Sequence, residues 1–176
     1  MNAGYLLSST LGDIVLRAED DALTGVFFTG QKHYPERLLL VNDDTPVPRI
    51  IDRAREQLQA FFNGELQVFD LPLRTRGTPF QEQVWQALAR IPYGEVLSYG
   101  AMARKMGLSP GHSRAVGTAN GRNPISIIVP CHRVVGASGD LTGYAGGVDR
   151  KRALLALECA QGFKLGQERL QPRIGR

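Results

Sequence analysis

Pro130-Cys131-His132-Arg133 is the part of this chain best suited to chemistry. The thiolate is the reactive form of cysteine, and an imidazole in the next position can accept the thiol proton. The apolar run Ile125-Ser126-Ile127-Ile128-Val129 leads into it and reads as a buried strand stopped by Pro130. A cysteine at the end of such a segment is held rigidly and can still face a cleft. Neighbours on an extended chain point to opposite sides. Cys131 and His132 therefore need a tight turn between them or a bridging water, and the reading favours the water.

A third residue belongs with these two. Leu154, Leu155 and Glu158 share a helix face at i+3 and i+4 spacing. The leucines belong in a core, so Glu158 lies at or beside the buried face, where an unpaired carboxylate is costly. Histidine is its natural partner. Glu158, His132, a water and Cys131 would form a relay in which the carboxylate fixes the tautomer of the ring. The thiol would then titrate below its unperturbed value of about 8.5. The alternative is a Glu158 partly exposed at the edge of the stripe. Cys159 has no histidine beside it and is assigned to core packing. Arg114 stands among Ser113, Ala115, Gly117, Thr118 and Ala119. So small-sided a helix can lie close against a backbone, of protein or of DNA, and an arginine projecting from it could enter a base stack. The alternative is an ordinary solvated arginine.

The elements that must position these groups fall into two halves, and the fold class is mixed α/β (α+β). Gly12–Ala18 and Leu23–Phe28 read as short strands of a small sheet, with a turn at Asp20-Asp21. Lys32 to Pro48 reads as loop. Pro48 to Asn63 is helical, with Ile50, Ala54, Leu58 and Phe61 on one face and Asn63-Gly64 as its stop. Leu66 to Leu73 is a further strand candidate. Arg74-Thr75-Arg76-Gly77 is the linker. The domains are then 1–75, an N-terminal α/β unit, and 76–160, a mostly helical unit carrying Cys131, followed by a mobile tail, 161–176.

In the second half, Thr78-Pro79-Phe80-Gln81 has the signature of a capped helix start. Phe80, Val84, Leu88 and Ile91 form its apolar stripe. Ser98 opens a short helix with Ala101, Met102 and Met106 inward, closed by Gly107. Ser109-Pro110 starts another that runs through Arg114 to Gly121. Two short helices joined by a few residues containing glycine make a helix-turn-helix pattern. Gly136 to Gly147 is a glycine-rich loop, and Val148 to Ala160 is the last helix.

Composition sets the outer limits. The chain has 176 residues, two cysteines and a net charge of +4. Two cysteines build no disulfide framework, and no cluster has metal-ligand spacing. The mild basicity permits nucleic acid as a partner without requiring it. No apolar run approaches the roughly 20 residues that cross a bilayer. Met1-Asn2-Ala3-Gly4-Tyr5 does not open a signal peptide, so a cytoplasmic location is expected.

Taken together, Asn123-Pro124-Ile125-Ser126-Ile127-Ile128-Val129-Pro130-Cys131-His132-Arg133-Val134, Arg114-Ala115-Val116-Gly117, Pro92-Tyr93-Gly94-Glu95 with Ser98-Tyr99, and Gly143-Tyr144-Ala145-Gly146-Gly147 resemble the alkylguanine-DNA alkyltransferases. The resemblance spans about residues 76 to 160; before that it is one of general layout. It implies that Cys131 accepts an alkyl group from O-6 of guanine, with O-4 of thymine a further substrate, and that His132 and Glu158 relay its proton. It implies that Asn123 is a hinge and that Tyr99 assists flipping and bonds the base. It makes Arg114 the finger that replaces the flipped nucleotide, with Ser113 and Ala115 beside it on the DNA. Tyr144, Ala145, Val134, Ser126 and Asn120 would line the pocket. The partner implied is double-stranded DNA containing alkylated guanine, met by a monomer, and no cofactor is needed. Some members bind zinc in the N-terminal domain; no cysteine precedes Cys131, so that site is absent and no metal is expected. Some members carry proline where this chain has Ser126 and serine where it has Ala145.

Two other readings compete. A cysteine hydrolase using Cys131, His132 and Glu158 would turn over and would need an oxyanion hole. A non-catalytic helix-turn-helix module would keep its function without Cys131.

Overall fold

The structure, a computed structural model, describes residues 3–42 and 44–160, and beyond them the backbone of Lys164–Leu165 (β7) and Glu168–Arg169 (β8), which pair antiparallel. The rest of the tail assigned to 161–176 lies outside the described residues. Packing divides the chain into two units: residues up to Arg76 together with Pro124–Ser126, and Gly77–Asn123 together with the chain from Ile127 on.

The first unit is a four-stranded sheet with one helix. β1 (Ala3–Leu7), unread in the sequence, pairs antiparallel with β2 (Ile14–Glu19), and β2 pairs antiparallel with β3 (Ala22–Phe28). The turn between β2 and β3 falls at Asp20, whose φ of 50° suits a short polar side chain. β4 (Leu39–Leu40), inside the expected loop, adds a parallel edge to β1. α1 (Arg49–Phe62) lays Ile50, Ile51, Ala54, Leu58 and Phe61 into the core. Leu66 to Leu73 forms no strand; it meets the sheet in a single parallel bridge between Leu73 and Leu23, made by Leu23 N on Pro72 O at 2.8 Å and Arg74 N on Leu23 O at 2.9 Å. Pro72 has no N–H to donate and Asp70 disfavours a strand, so the segment builds no continuous ladder.

Pro124–Ser126 lies far along the chain yet completes this sheet. Val26 N donates to Pro124 O at 2.9 Å and Ser126 N to Val26 O at 3.1 Å, a parallel bridge between Val26 and Ile125. The expected strand over Ile125–Val129 stops there. Ile127 takes a φ of 73°, which breaks any ladder and is rare for a β-branched residue. The run is buried as its composition predicts, but in a turn.

The second unit is built on four helices. α2 (Pro79–Leu88) starts at Thr78 with the full reciprocal capping box: Gln81 N donates to Thr78 Oγ1 at 3.1 Å and Thr78 N to Gln81 Oε1 at 2.9 Å. It buries Val84, Trp85 and Leu88. The Trp85 indole N–H donates to Ala119 O at 2.9 Å, tying α2 to α4 (Ser113–Gly121). α3 (Tyr99–Lys105) begins at Ser98, whose hydroxyl accepts from Ala101 N at 3.0 Å. It buries Met102 and Ala103, while Ala101 and Met106 are only half-buried. One 3₁₀ turn, Pro110–His112, leads from it into α4. β5 (Leu97–Ser98) pairs parallel with β6 (Val134–Val135). α5 runs Val148–Leu157, ending three residues short of the expected Ala160. Cys159, expected in the core, is exposed and carries a φ of 52°, because the helix has already ended before it.

The capping box yields a direct stability test. Thr78→Ala should lower the urea midpoint by about 1 kcal/mol of stability with an unchanged denaturant slope. An unmoved midpoint would show that the box holds nothing.

Candidate active site

Pro130 sits at φ −83° and ψ 64°, an inverse γ-turn closed by Cys131 N on Val129 O at 2.8 Å. Cys131–Arg133 then form a single 3₁₀ turn, with Arg133 N on Pro130 O at 3.0 Å. The premise of an extended chain here does not hold. Successive side chains on such a turn diverge by about 120°, so the three residues fan out into different surroundings.

All three are buried. Cys131 is 3% exposed and His132 is fully enclosed. His132 Nε2 lies 2.7 Å from Glu158 Oε2. Glu158 occupies the C-terminal cap of α5, and its side chain is fully buried. Arg133 holds the same carboxylate with two donors, Nε to Oε1 at 2.8 Å and Nη2 to Oε2 at 3.0 Å. Its Nη1 donates to Ile91 O at 2.7 Å. The carboxylate also accepts from Gly94 N at 3.4 Å. Burial alone would raise the Glu158 pKa, but hydrogen bonds and charge from His132 and Arg133 outweigh it and bring it down to about 2. An ionised Glu158 makes Nε2 the donor nitrogen of His132, so Nδ1 carries the lone pair. Nδ1 is buried and has no hydrogen-bond partner among the described residues. Burial lowers the His132 pKa against the pull of Glu158, which favours the neutral ring.

Around the sulfur stand three more groups. Asn123, buried after α4, donates from Nδ2 to Val129 O at 2.7 Å and also hydrogen-bonds the thiol. Lys151, on α5, is fully buried, with no carboxylate paired to it among the described residues; its Nζ donates to Thr142 O at 2.8 Å. Burial brings its pKa down to about 8, while Cys131 pulls it upward. Asn120, 1% exposed on α4, donates from Nδ2 to Cys131 O at 3.4 Å. Burial raises the Cys131 pKa, and the Asn123 hydrogen bond and the Lys151 charge only oppose that rise. The expected depressed thiol pKa is therefore not found: at rest, enclosure outweighs the favourable partners.

Tyr99, the first residue of α3, donates its hydroxyl to Thr142 O at 3.2 Å, sharing that carbonyl with Lys151. A Cβ on Gly117 would stand 3.5 Å from its ring, and one on Gly143 3.7 Å from its hydroxyl. Tyr144 is 7% exposed, Val134 is fully buried in β6, and Ala145 is half-buried. On α4, Arg114 and Ala115 are exposed and Ser113 half-buried. Ser126 is buried in the first unit, on the β3 edge.

Two members of this cluster escaped the sequence reading. Lys151 repeats the spacing that singled out Glu158, since 151, 154, 155 and 158 share one helix face. Arg133 was quoted only as part of the motif, and its buried fork onto Glu158 has no periodic signal. The described residues hold no group of three or more histidines, cysteines or carboxylates that could bind a metal ion.

Known proteins give the arrangement its class. Residues 79–160 match the family model described as the DNA-binding domain of 6-O-methylguanine DNA methyltransferase. A methylated-DNA–protein-cysteine methyltransferase of Mycobacterium bovis is 52% identical over 86% of this chain and 89% of its own length. One from Methanosarcina acetivorans is 47% identical over 87% of this chain and 96% of its own. A crystal structure of Mycobacterium tuberculosis OGT in complex with DNA superposes with a TM-score of 0.81 at 50% identity, covering 89% of this chain and 92% of that one. The chain belongs to the methylated-DNA–protein-cysteine methyltransferase family.

The Glu158 pKa carries a stability prediction. A carboxyl depressed from 4.5 to about 2 contributes stability that is fully present above pH 4.5 and is lost as pH falls toward 2. Over that window the wild type should lose roughly 3 kcal/mol more than Glu158→Gln. Parallel denaturation curves for the two proteins from neutral pH down to acid would contradict the pairing.

Proposed function

We propose that this protein repairs alkylated DNA directly, moving the alkyl group from O-6 of guanine onto Cys131 once per molecule. The observation that carries this reading is an enclosed Cys131 thiol followed in the chain by a buried histidine whose Nε2 is pinned to an ionised Glu158. The thiol proton passes through water to His132 Nδ1, and Glu158 stabilises the imidazolium that forms. Asn123 and the Lys151 ammonium offset the charge left on sulfur. The thiolate attacks the alkyl carbon in line. The S–C bond forms as the C–O6 bond breaks, and the electron pair leaves with the base. Tyr99 supplies a proton to the departing guanine and recovers one from solvent. The product is a thioether with no easy leaving step, so one molecule repairs one lesion.

The base must leave the helix to reach a thiol this enclosed. Flipping costs about a few kcal/mol. Residues Gly77–Ala160 hold nine lysines and arginines against five acids, whereas the chain up to Arg76 holds eight against eleven. That asymmetry supports 76–160 as the domain that meets the phosphates. We assign α3 and α4 as a helix-turn-helix, with Ser113 and Ala115 against the duplex and Arg114 filling the gap left by the flipped nucleotide. Tyr144, Ala145 and Val134 line the base pocket, and Asn123 is its hinge. The protein acts as a monomer without a cofactor, and a reducing, DNA-containing compartment such as a prokaryotic cytoplasm suits a free thiol.

Incubation with methylated duplex should add one methyl group per molecule, mapped by peptide mass to Cys131. Cys131→Ser should lose all transfer while binding DNA normally; label on Cys159, or product exceeding one equivalent, would defeat the proposal and favour a hydrolase-like enzyme. Arg114→Ala should slow repair of duplex at least tenfold more than reaction with the free modified base, since only the duplex requires flipping. Equal losses on both substrates would remove the finger role.

A further inference from the structure

A hollow in the second unit takes no part in the transfer reaction. It has a volume of about 230 Å³ and lies between the end of α2, residues 90–97 and α3. Buried Ile91 and Met102 and half-buried Leu97 give it an apolar wall. Arg90, Glu95 and Lys105 also line it, and all three are exposed. Arg90 and Lys105 form no ion pair among the described residues, not even with Glu95.

These features define what would fit. Much of the loop's main chain is already committed: Ile91 N donates to Leu88 O at 3.0 Å and Glu95 N to Pro92 O at 3.1 Å, while Ile91 O accepts from Arg133 Nη1 at 2.7 Å. Binding must therefore come from apolar contact and from the charged side chains. Two unpaired cations against one carboxylate set the sign, so the occupant is an anion with an apolar body. The volume equals that of roughly eight water molecules. It falls short of the roughly 300–1,000 Å³ of sites for drug-sized ligands, so the occupant is a short acid and not a nucleotide.

The same loop reaches the Glu158 cluster. Ile91 O holds Arg133, which grips the carboxylate, and Gly94 N donates to Glu158 Oε1 at 3.4 Å, the longest of the contacts to that group. A ligand that fits the loop only as it is arranged here favours that arrangement. We propose that the hollow binds a short organic acid, its carboxylate held by Arg90 and Lys105 and its hydrocarbon against Ile91, Leu97 and Met102. Occupancy then tightens the loop's hold on Glu158. The site stands apart from Cys131 and does not depend on which base or alkyl group the protein acts on.

The test titrates the full-length protein with hexanoate, hexanol and hexylamine and follows amide and methyl signals by NMR. Hexanoate should bind with a Kd of about 1 mM, ordinary for so small a ligand, and shift the Ile91, Leu97 and Met102 methyls. Hexanol should bind about tenfold more weakly and hexylamine more weakly still. The double variant Arg90→Glu with Lys105→Glu changes only exposed positions, and its melting temperature verifies the fold. It should weaken hexanoate about tenfold and leave hexanol unchanged. Saturation with hexanoate should slow hydrogen exchange at the Gly94 amide several-fold. Equal binding of hexanoate and hexanol, or hexanoate binding untouched in the double variant, would reduce the hollow to an apolar gap and overturn the anion site. No shift at these methyls with any compound, together with weaker duplex binding by the double variant, would assign the two cations to DNA and overturn the proposal. Unchanged Gly94 exchange at saturation would overturn the link to Glu158.

Discussion

The carboxylate of Glu158 is the group on which the rest of the site depends. Taking an ion out of water is expensive, and it is tolerable only when the ion's lone pairs are filled by well-placed donors. Here the donors come from three directions: the His132 ring, the fork of Arg133 and the amide of Gly94. Each has its own requirement. His132 and Arg133 can both reach one carboxylate because the 3₁₀ turn fans them out. Gly94 presents its N–H from a φ of 81°, where a side chain would be strained, and a Cβ there would lie 3.3 Å from Glu158 O. The Tyr93 ring lies under the Arg133 guanidinium at 5.8 Å, and its hydroxyl donates to Leu157 O at 3.3 Å. One buried charge thereby fixes the tautomer of the histidine, the end of α5 and the loop after α2.

The nucleophile lives under the opposite constraint. Enclosure favours the neutral thiol, and Asn123 and Lys151 offset this only in part. The site is thus poised and not pre-ionised: it holds a base, a cation and a hydrogen-bond donor ready around a sulfur that keeps its proton. For a residue that can be used once, this has a chemical merit. Thiolates are the targets of stray oxidants and electrophiles. A protonated, enclosed thiol is spared until a substrate displaces solvent and brings its own alkyl carbon into line. Cys159 shows the contrast, exposed beyond the end of α5.

Much of this was legible in the chain, and the parts that were not fail for identifiable reasons. The capping box at Thr78, the stripe of α1 and the place of Glu158 on the buried face of α5 all follow from local spacing, where short-range geometry and burial agree. Ile125–Val129 misled because an apolar run reports burial and not backbone shape; Ile127 in the left-handed region has no signature in composition. The thiol's pKa misled because neighbours can be guessed from sequence while the depth of enclosure cannot. Lys151 is the instructive omission. A lysine is ordinarily a surface residue, so the periodicity that buries Glu158 buries Lys151 against the habit of its residue type. The short β1 and β4 strands depend on partners distant in the chain, for which a single sequence holds no register information.

The outer edge of β3 has a consequence in time. Leu73 bridges it at Leu23, but at Val26 its cover among the described residues is the segment around Ile125, about a hundred residues downstream. A ribosome adding roughly 5–20 residues per second needs on the order of 5–20 seconds to travel that distance. Throughout that interval the nascent sheet presents an unpaired strand edge, which is a template for association with other chains. Synthesis of this protein therefore contains a built-in waiting period. Its length is set by where the nucleophile's own segment lies in the gene, since Pro124–Ser126, which cover the edge, come shortly before Pro130 and Cys131 in the chain.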